Sequence, residues 1–362
     1  VRIAFDARAW EKPTHSFTRV LQLLFDAVIE SGWEVELWVS GSLRPEFARY
    51  ERYARSVDEA SRKTGARVLW SPQIDAYRAG VPVVSTIHDV NPLLPDGRPA
   101  LARWQRARRF RSRVERGFSE SWRVVTDSDY SRRRISSEFP GHAGRVSVVP
   151  LYADRRLKRV DRADLGEFVS RLGASPGYVL FVGSLRRHKN WDGLMRAYSR
   201  LPEQVRDEHS LVLAGPTRRN AERAERLAAA LAIERQTFIP GVVPEEQMSV
   251  LYSGADVFVF PSFLEGFGLP PLEAMACGVP VVATNRTSVP EVLGDAPLYI
   301  DPSDHEAMSD AIQTVLEDAG LRSRLIESGR SRCAHFSPAR TAAAMQKVLR
   351  DLEDVDRPLN TP

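Results

Sequence analysis

The sequence predicts an α/β fold built on two parallel sheets. Short apolar runs bounded by glycine and proline turns alternate with segments of helical period, which is the pattern of strand–helix–strand units. Runs such as Tyr178–Val182 and Val257–Phe260 are apolar at consecutive positions, as strands buried on both faces require. The alternation breaks once, over residues 151–176, in a chain of 362 residues, long enough for two cores.

Taken in order, Arg2–Phe5 is a first strand. Phe17–Ser31 is a helix whose apolar positions Val20, Leu21, Leu24, Phe25 and Val28 share one face. Strands follow at Glu34–Val39, Arg67–Trp70, Val83–Ile87, Trp122–Thr126 and Arg145–Val149. Between the third and fourth of these, Arg98–Arg116 is strongly basic, and Ala107, Phe110, Val114 and Phe118 repeat at helical spacing. That spacing predicts a core-facing amphipathic helix with a solvated basic side; the alternative is a surface for anionic lipid or a phosphate-bearing acceptor. The polar stretch Asp154–Arg159 marks a linker. The second set of strands is Tyr178–Val182, Ser210–Ala214, Thr237–Ile239, Val257–Phe260, Val279–Ala283 and Leu298–Ile300. Ser337 and Pro338 suit the N-cap and first turn of a last helix, Ala339–Leu352. The domain reading is 1–165, 166–338 and a C-terminal helical segment 339–362 that packs back on the first domain.

Bulk properties exclude more than they assign. Hydrophobic residues make up 43% and charged residues 27% of the chain, an ordinary globular balance, and no apolar run is long enough to span a membrane. The N-terminus reads as a strand and not as a signal peptide. Two cysteines, Cys277 and Cys333, make neither a disulfide framework nor a metal cluster, which points to a cytoplasmic setting. The 51 basic residues comprise 46 arginines and 5 lysines, but no nucleic-acid motif accompanies them.

The most informative segment is Glu265-Gly266-Phe267-Gly268-Leu269-Pro270-Pro271-Leu272-Glu273. It joins an apolar strand to a helix. Pro270 and Pro271 suit a first helical turn, and Gly266 and Gly268 let the backbone bend and approach a ligand. The N–H groups of that turn favour an anion, and the two carboxylates suit sugar hydroxyls. A second such junction is Gly183-Ser184-Leu185-Arg186-Arg187-His188-Lys189-Asn190: a strand end, a basic loop, then Asn190 as a helix cap before Trp191. A diphosphate there would meet a helix N-terminus and the Lys189 ammonium together. His88 and Asp89 end the strand Val83–Ile87, at the sheet edge where ligands bind in open α/β sheets. Asp89 would either hold the imidazole tautomer or cap the next turn. Asp127-Ser128-Asp129 fits a metal-binding Asp-x-Asp pattern, but it also fits a plain strand-to-helix turn, and no metal is assigned to it.

The Glu-x7-Glu segment, continued by Cys277-Gly278-Val279-Pro280-Val281-Val282-Ala283, resembles the donor-binding signature of the family-4 retaining glycosyltransferases. The resemblance implies the GT-B fold, two Rossmann-like domains with parallel sheets facing across a cleft. It implies hexosyl transfer from a nucleotide sugar to a hydroxyl, with retention at the anomeric carbon. GDP-mannose is the first choice of donor, followed by UDP- or dTDP-hexoses; no cofactor is implied. The acceptor would be a glycan, a lipid-linked saccharide or a small molecule, with peripheral membrane contact at the inner face and no nucleic-acid partner. Carried over residue by residue, His88, Lys189 and Glu265 are the catalytic candidates. Gly183, Ser184, Arg187, Lys189, Gly215, Val243, Glu265, Phe267, Gly268, Leu269 and Glu273 are the donor-binding candidates. Among these Lys189 would meet the diphosphate, Val243 the base, Glu265 the sugar and Glu273 the ribose.

Two departures from the family pattern stand out. Ser184 replaces an arginine common after the strand-end glycine, leaving Arg186, Arg187 or His188 to supply charge. The loop Trp10–Arg19 lacks the usual glycines, so His15, Ser16 and Arg19 are read as acceptor-side residues. These departures keep a non-catalytic nucleotide-sugar-binding scaffold open as an alternative, with a nucleotide-sugar epimerase behind it.

Overall fold

The computed structural model describes residues 2–7, 15–39, 51–53, 65–74, 79–94, 99–215 and 218–350. The chain divides into two compact units, Val1–Tyr152 with Phe336–Pro362, and Ala153–His335. Residues 153–165, placed with the first domain by sequence, belong to the second. There the Val160 N–H donates to Ser253 Oγ (2.9 Å), and the Arg159 guanidinium donates to the carbonyls of Cys277 (3.4 Å) and Gly278 (3.2 Å).

The first unit is a seven-stranded sheet in the order β3-β2-β1-β4-β5-β6-β7, parallel throughout. Its strands are β1 (Arg2–Asp6), β2 (Glu34–Val39), β3 (Glu51–Tyr53), β4 (Val68–Ser71), β5 (Val83–Thr86), β6 (Arg123–Thr126) and β7 (Val146–Val148). The edge strand β3 has no counterpart in the sequence reading: Glu-Arg-Tyr lacks an apolar run. Helix α1 (His15–Glu30) buries the predicted stripe and also Leu23 and Ala27 from another face. The reason is that α13 (Pro338–Leu349) packs against it. Helix α13 starts where Ser337 Oγ accepts the Arg340 N–H, and Thr341 Oγ1 donates to the Pro150 carbonyl (2.7 Å). Helix α2 (Ala100–Glu120) covers the other end of the sheet with Val114 and Phe118, which join Ile135 and Phe139 in one apolar cluster. Helix α3 (Asp129–Glu138) follows β6, capped by Ser128, whose hydroxyl accepts the Ser131 N–H.

The second unit is a six-stranded parallel sheet in the order β10-β9-β8-β11-β12-β13. Its strands are β8 (Tyr178–Val182), β9 (Leu211–Ala214), β10 (Thr237–Gly241), β11 (Ala255–Phe260), β12 (Val281–Thr284) and β13 (Leu298–Ile300). Its helices are α4 (Gly166–Leu172), before the first strand, the crossovers α5 (Trp191–Tyr198), α6 (Glu203–Glu208), α7 (Arg218–Ala230), α8 (Met248–Ser253), α9 (Leu269–Ala276) and α10 (Val289–Leu293), and, after the last strand, α11 (His305–Glu317) and α12 (Ala319–His335). The runs read as doubly buried strands are so: Tyr178, Val179, Leu180, Phe181, Val257, Phe258, Val259 and Phe260 are fully buried. From β8 the chain winds outward through β9 and β10, then returns to place β11 on the other side of β8. The order reverses between β8 and β11, and the crevice beyond their carboxyl ends is where an open α/β sheet binds ligands.

Candidate active site at the β8 and β11 strand ends

That crevice holds the two segments singled out by sequence. The loop after β8 carries Lys189 in a single 3-10 turn, and the loop after β11 carries Glu265. Lys189 Nζ donates to Glu265 Oε1 at 2.6 Å, with side-chain exposures of 19% and 11%. The same ammonium lies 5.6 Å from the ring centroid of Phe260, the last residue of β11. The loops are also joined by backbone, the Phe263 N–H donating to the His188 carbonyl (2.7 Å). A carboxylate and an ammonium, both partly withdrawn from water, thus sit on neighbouring strand ends.

Helix α9 begins beside them. Gly268 is its N-cap at φ 102°, a conformation that L side chains rarely adopt, and Pro270 and Pro271 follow in the first turn. The loop entering α9 is held from β12: Ser288 Oγ donates to the carbonyls of Glu265 and Phe267 (3.1 Å each), and Thr287 Oγ1 accepts the Glu265 N–H (3.2 Å). Sequence reasoning missed Thr287 and Ser288. The available signal was their place just after the apolar strand Val279–Ala283, at a strand end of the kind that binds ligands in an open α/β sheet.

Glu273 occupies the second turn of α9 and is 4% exposed. The Tyr252 hydroxyl donates to its Oε2 at 2.7 Å. Phe267 is buried, Leu269 opens α9, and Ser184 and Arg187 are exposed on the β8 loop. Asn190 does precede the helix at Trp191, but it does not cap it through its side chain. It adopts φ 52°, and its amide Nδ2 donates to the Pro302 carbonyl (2.6 Å).

The turns after β8, β9 and β10 are laced by backbone. The Gly183 N–H donates to the Ala214 carbonyl (2.9 Å) and the Gly215 N–H to the Gly241 carbonyl (2.6 Å). Gly215 has φ 105°, and a Cβ there would lie 2.9 Å from the Gly183 carbonyl oxygen, so no other residue fits without moving backbone. Val243 follows this row of turns and is buried.

In the first unit His88 is held between two neighbouring strand ends. Its Nδ1 is 2.6 Å from Asp127 Oδ2, after β6, and its Nε2 is 2.9 Å from the Pro72 carbonyl, after β4. Both partners only accept hydrogen bonds, so both nitrogens donate and the ring is an imidazolium. Burial works against the charge. The Asp127 charge, its hydrogen bond, the Pro72 carbonyl and the Asp89 charge outweigh it and raise the pKa to about 9. Of the two roles open to Asp89, it takes the turn cap, accepting the Asn91 N–H at 2.8 Å. The two carboxylates of Asp127-Ser128-Asp129 serve different partners, His88 for the first, Arg132 and Arg133 for the second. Arg19 lies on α1 and is half-buried; the side chains of His15 and Ser16, and the loop before them, lie outside the described residues.

Comparison with known proteins identifies the family. The family described as Glycosyl transferases group 1 matches residues 167–332, which carry every donor-side candidate. The chain is 34% identical over 256 residues to the O-antigen chain mannosyltransferase B of Escherichia coli, covering 70% of this chain and 66% of that one. It is 30% identical over 226 residues to the serotype-specific mannosyltransferase WbdA of Escherichia coli, covering 62% of this chain and only 27% of that one. The D-inositol 3-phosphate glycosyltransferase of Rhodococcus jostii (strain RHA1) is 30% identical over 332 residues, 86% of this chain and 70% of the relative. Among solved structures, a sucrose-phosphate synthase from Thermosynechococcus elongatus superposes with TM-score 0.77 at 19% identity, over 98% of this chain and 100% of that one. WaaG, a glycosyltransferase involved in lipopolysaccharide biosynthesis, superposes with TM-score 0.76 at 17% identity, over 96% and 99%. These likenesses show the fold, GT-B; the family match and the sequence relatives show that the chain belongs to the glycosyl transferases group 1 family.

Proposed function

We propose that the protein is a retaining hexosyltransferase that moves a mannosyl-like group from a nucleotide-diphosphate sugar to a hydroxyl of a saccharide, lipid-linked or small-molecule acceptor. GDP-mannose is the first donor to test, and UDP- and dTDP-hexoses come next. The observation that carries this reading is the Lys189–Glu265 pair beside the Gly268 N-cap, at the point where the strand order reverses. Two relatives bearing the name mannosyltransferase support the choice of sugar.

The chemistry follows from the charges. A departing nucleoside diphosphate gains negative charge, and Lys189 with the N–H groups opening α9 would stabilise it. No cofactor enters this scheme. Glu265 would exchange its contact with Lys189 for the sugar hydroxyls. Retention would come from attack on the face the diphosphate leaves, the diphosphate oxygen taking the acceptor proton. Positioning then does the work that a nucleophilic carboxylate does in retaining glycosidases. Glu273 would serve the ribose. Among the described residues no helix is long and apolar enough to cross a membrane. We place the chain in the cytoplasm, with peripheral contact where the acceptor is lipid-linked.

Thermal-shift titration with GDP, UDP and dTDP sugars, the parent beside Glu273→Ala, is the first test. A ligand of the folded state raises Tm by mass action. One nucleotide class should stabilise the parent and not the variant, and release of that nucleoside diphosphate should require an acceptor. No shift with any class would sink the donor site; a shift without acceptor-dependent release would leave a binding scaffold.

A further inference from the structure

Helix α2 extends past the surface it covers. Its buried residues are Val114, Gly117 and Phe118, all in the second half, while residues 100–105 are exposed. Leu101 and Trp104 lie in that exposed start at 67% and 57% exposure, two of three large exposed hydrophobics among the described residues. With Arg108 they stand at i, i+3 and i+7, along one side of the helix. The Arg108 guanidinium lies 5.4 Å from the Trp104 ring centroid. Arg103, Arg108 and Arg109 are exposed and Arg106 half-buried, and no acidic residue occurs from Ala100 to Val114.

The topology says where this start lies. Strand β5 ends at Thr86, the 3-10 turn Asn91–Leu93 packs against α2, and α2 then leads back to the beginning of β6, parallel to β5. The start of α2 therefore lies at the carboxyl edge of the sheet, the edge that carries His88.

We infer that this end of α2 docks on an anionic lipid surface. The aromatic ring and Leu101 enter the interface, and the arginines meet lipid phosphates while their stems stay among the apolar chains. Charge selects this occupant over a second copy of the chain, since a two-fold contact would set these arginines against one another. The docking surface rests on the peripheral-contact reading above. Donor-nucleotide binding, measured on the same variants, separates its failure from that of the transferase reading.

The test is co-sedimentation with phosphatidylcholine vesicles, with and without phosphatidylglycerol, using the parent, Leu101→Ser/Trp104→Ser and Arg108→Glu/Arg109→Glu. The substituted side chains are exposed, so both variants should keep the parent's melting temperature and nucleotide-sugar shift. The parent should sediment only with the anionic vesicles and be released by salt. Each arginine lost at such a surface weakens partition roughly fivefold, so the double reversal should weaken it by about 25-fold or more. Three results would overturn the inference: no binding of the parent to anionic vesicles, equal binding by parent and variants, or a lipid-free dimer that Leu101→Ser/Trp104→Ser converts to monomer.

Discussion

Lys189 and Glu265 hold each other in place, so removing either leaves the other stranded. In Lys189→Ala the Glu265 carboxylate, 11% exposed, loses its 2.6 Å partner. The expected cost is about 1–3 kcal/mol of stability. Removing both should cost less than the sum of the singles, and urea melts of the two singles and the double variant measure that coupling. If Lys189 stabilises the departing diphosphate, kcat should also fall about 100-fold or more in Lys189→Ala; an unchanged kcat would remove the lysine from the mechanism. His88 makes the second prediction at this scale. Its folded pKa is raised to about 9, so the imidazolium favours the folded state. That stability is complete below the unfolded value of about 6.5 and is lost as pH rises through about 9. Asp127→Asn removes the leading cause that raises the pKa. The NMR titration of the ring should move down and the stability profile should flatten over that pH window. A titration that stays near 9 in the variant would dissociate Asp127 from the charge state of His88.

At the scale of elements, two glycines make a contrast that separates backbone strain from crowding. Gly268 and Gly215 have nearly equal φ, 102° and 105°. A Cβ on Gly268 meets nothing closer than 3.6 Å, whereas one on Gly215 meets the Gly183 carbonyl oxygen at 2.9 Å. Gly268→Ala should therefore cost about 1–2 kcal/mol, the conformational part alone. Gly215→Ala should cost distinctly more, because backbone must shift between β8 and β9. Equal denaturation midpoints would show that the turns yield freely. Elements of this kind were legible in the sequence because their signals are local. Doubly apolar runs gave β8, β9 and β11, Pro270 and Pro271 marked the start of α9, and Ser337-Pro338 marked that of α13. Strand β3 escaped because Glu-Arg-Tyr carries no apolar pattern. The partners of site residues escaped for another reason: they come from neighbouring strand ends far away in the chain. Asp127 is 39 positions from His88, and Ser288 is 23 from Glu265. In the sequence only the adjacent Asp89 stood out as a partner for His88; the strand order, which sets β6 beside β5, brings Asp127 there instead.

For the whole molecule, the chain leaves the first unit after Tyr152 and returns to it at Phe336. The return is a structural part of that unit. Met345, Val348 and Leu349 of α13 are buried, and Thr341 bonds the carbonyl of Pro150. Three such side chains are worth about 5 kcal/mol together, at 1.5–3 kcal/mol for each as an upper range. That is comparable to the entire stability of many domains. Ending the chain before Ser337 should therefore lower the melting of the first unit by about 10–20 °C, at 2–4 °C per kcal/mol for a unit of this size. The second unit keeps its sheet, its core and the Lys189–Glu265 crevice without α13, so its calorimetric transition should remain and should still rise with the nucleotide sugar that stabilises the parent. Transfer to acceptor should be lost, since His88 stands on the destabilised sheet. If truncation abolishes nucleotide binding together with transfer, the second unit does not fold by itself, and donor recognition depends on the first.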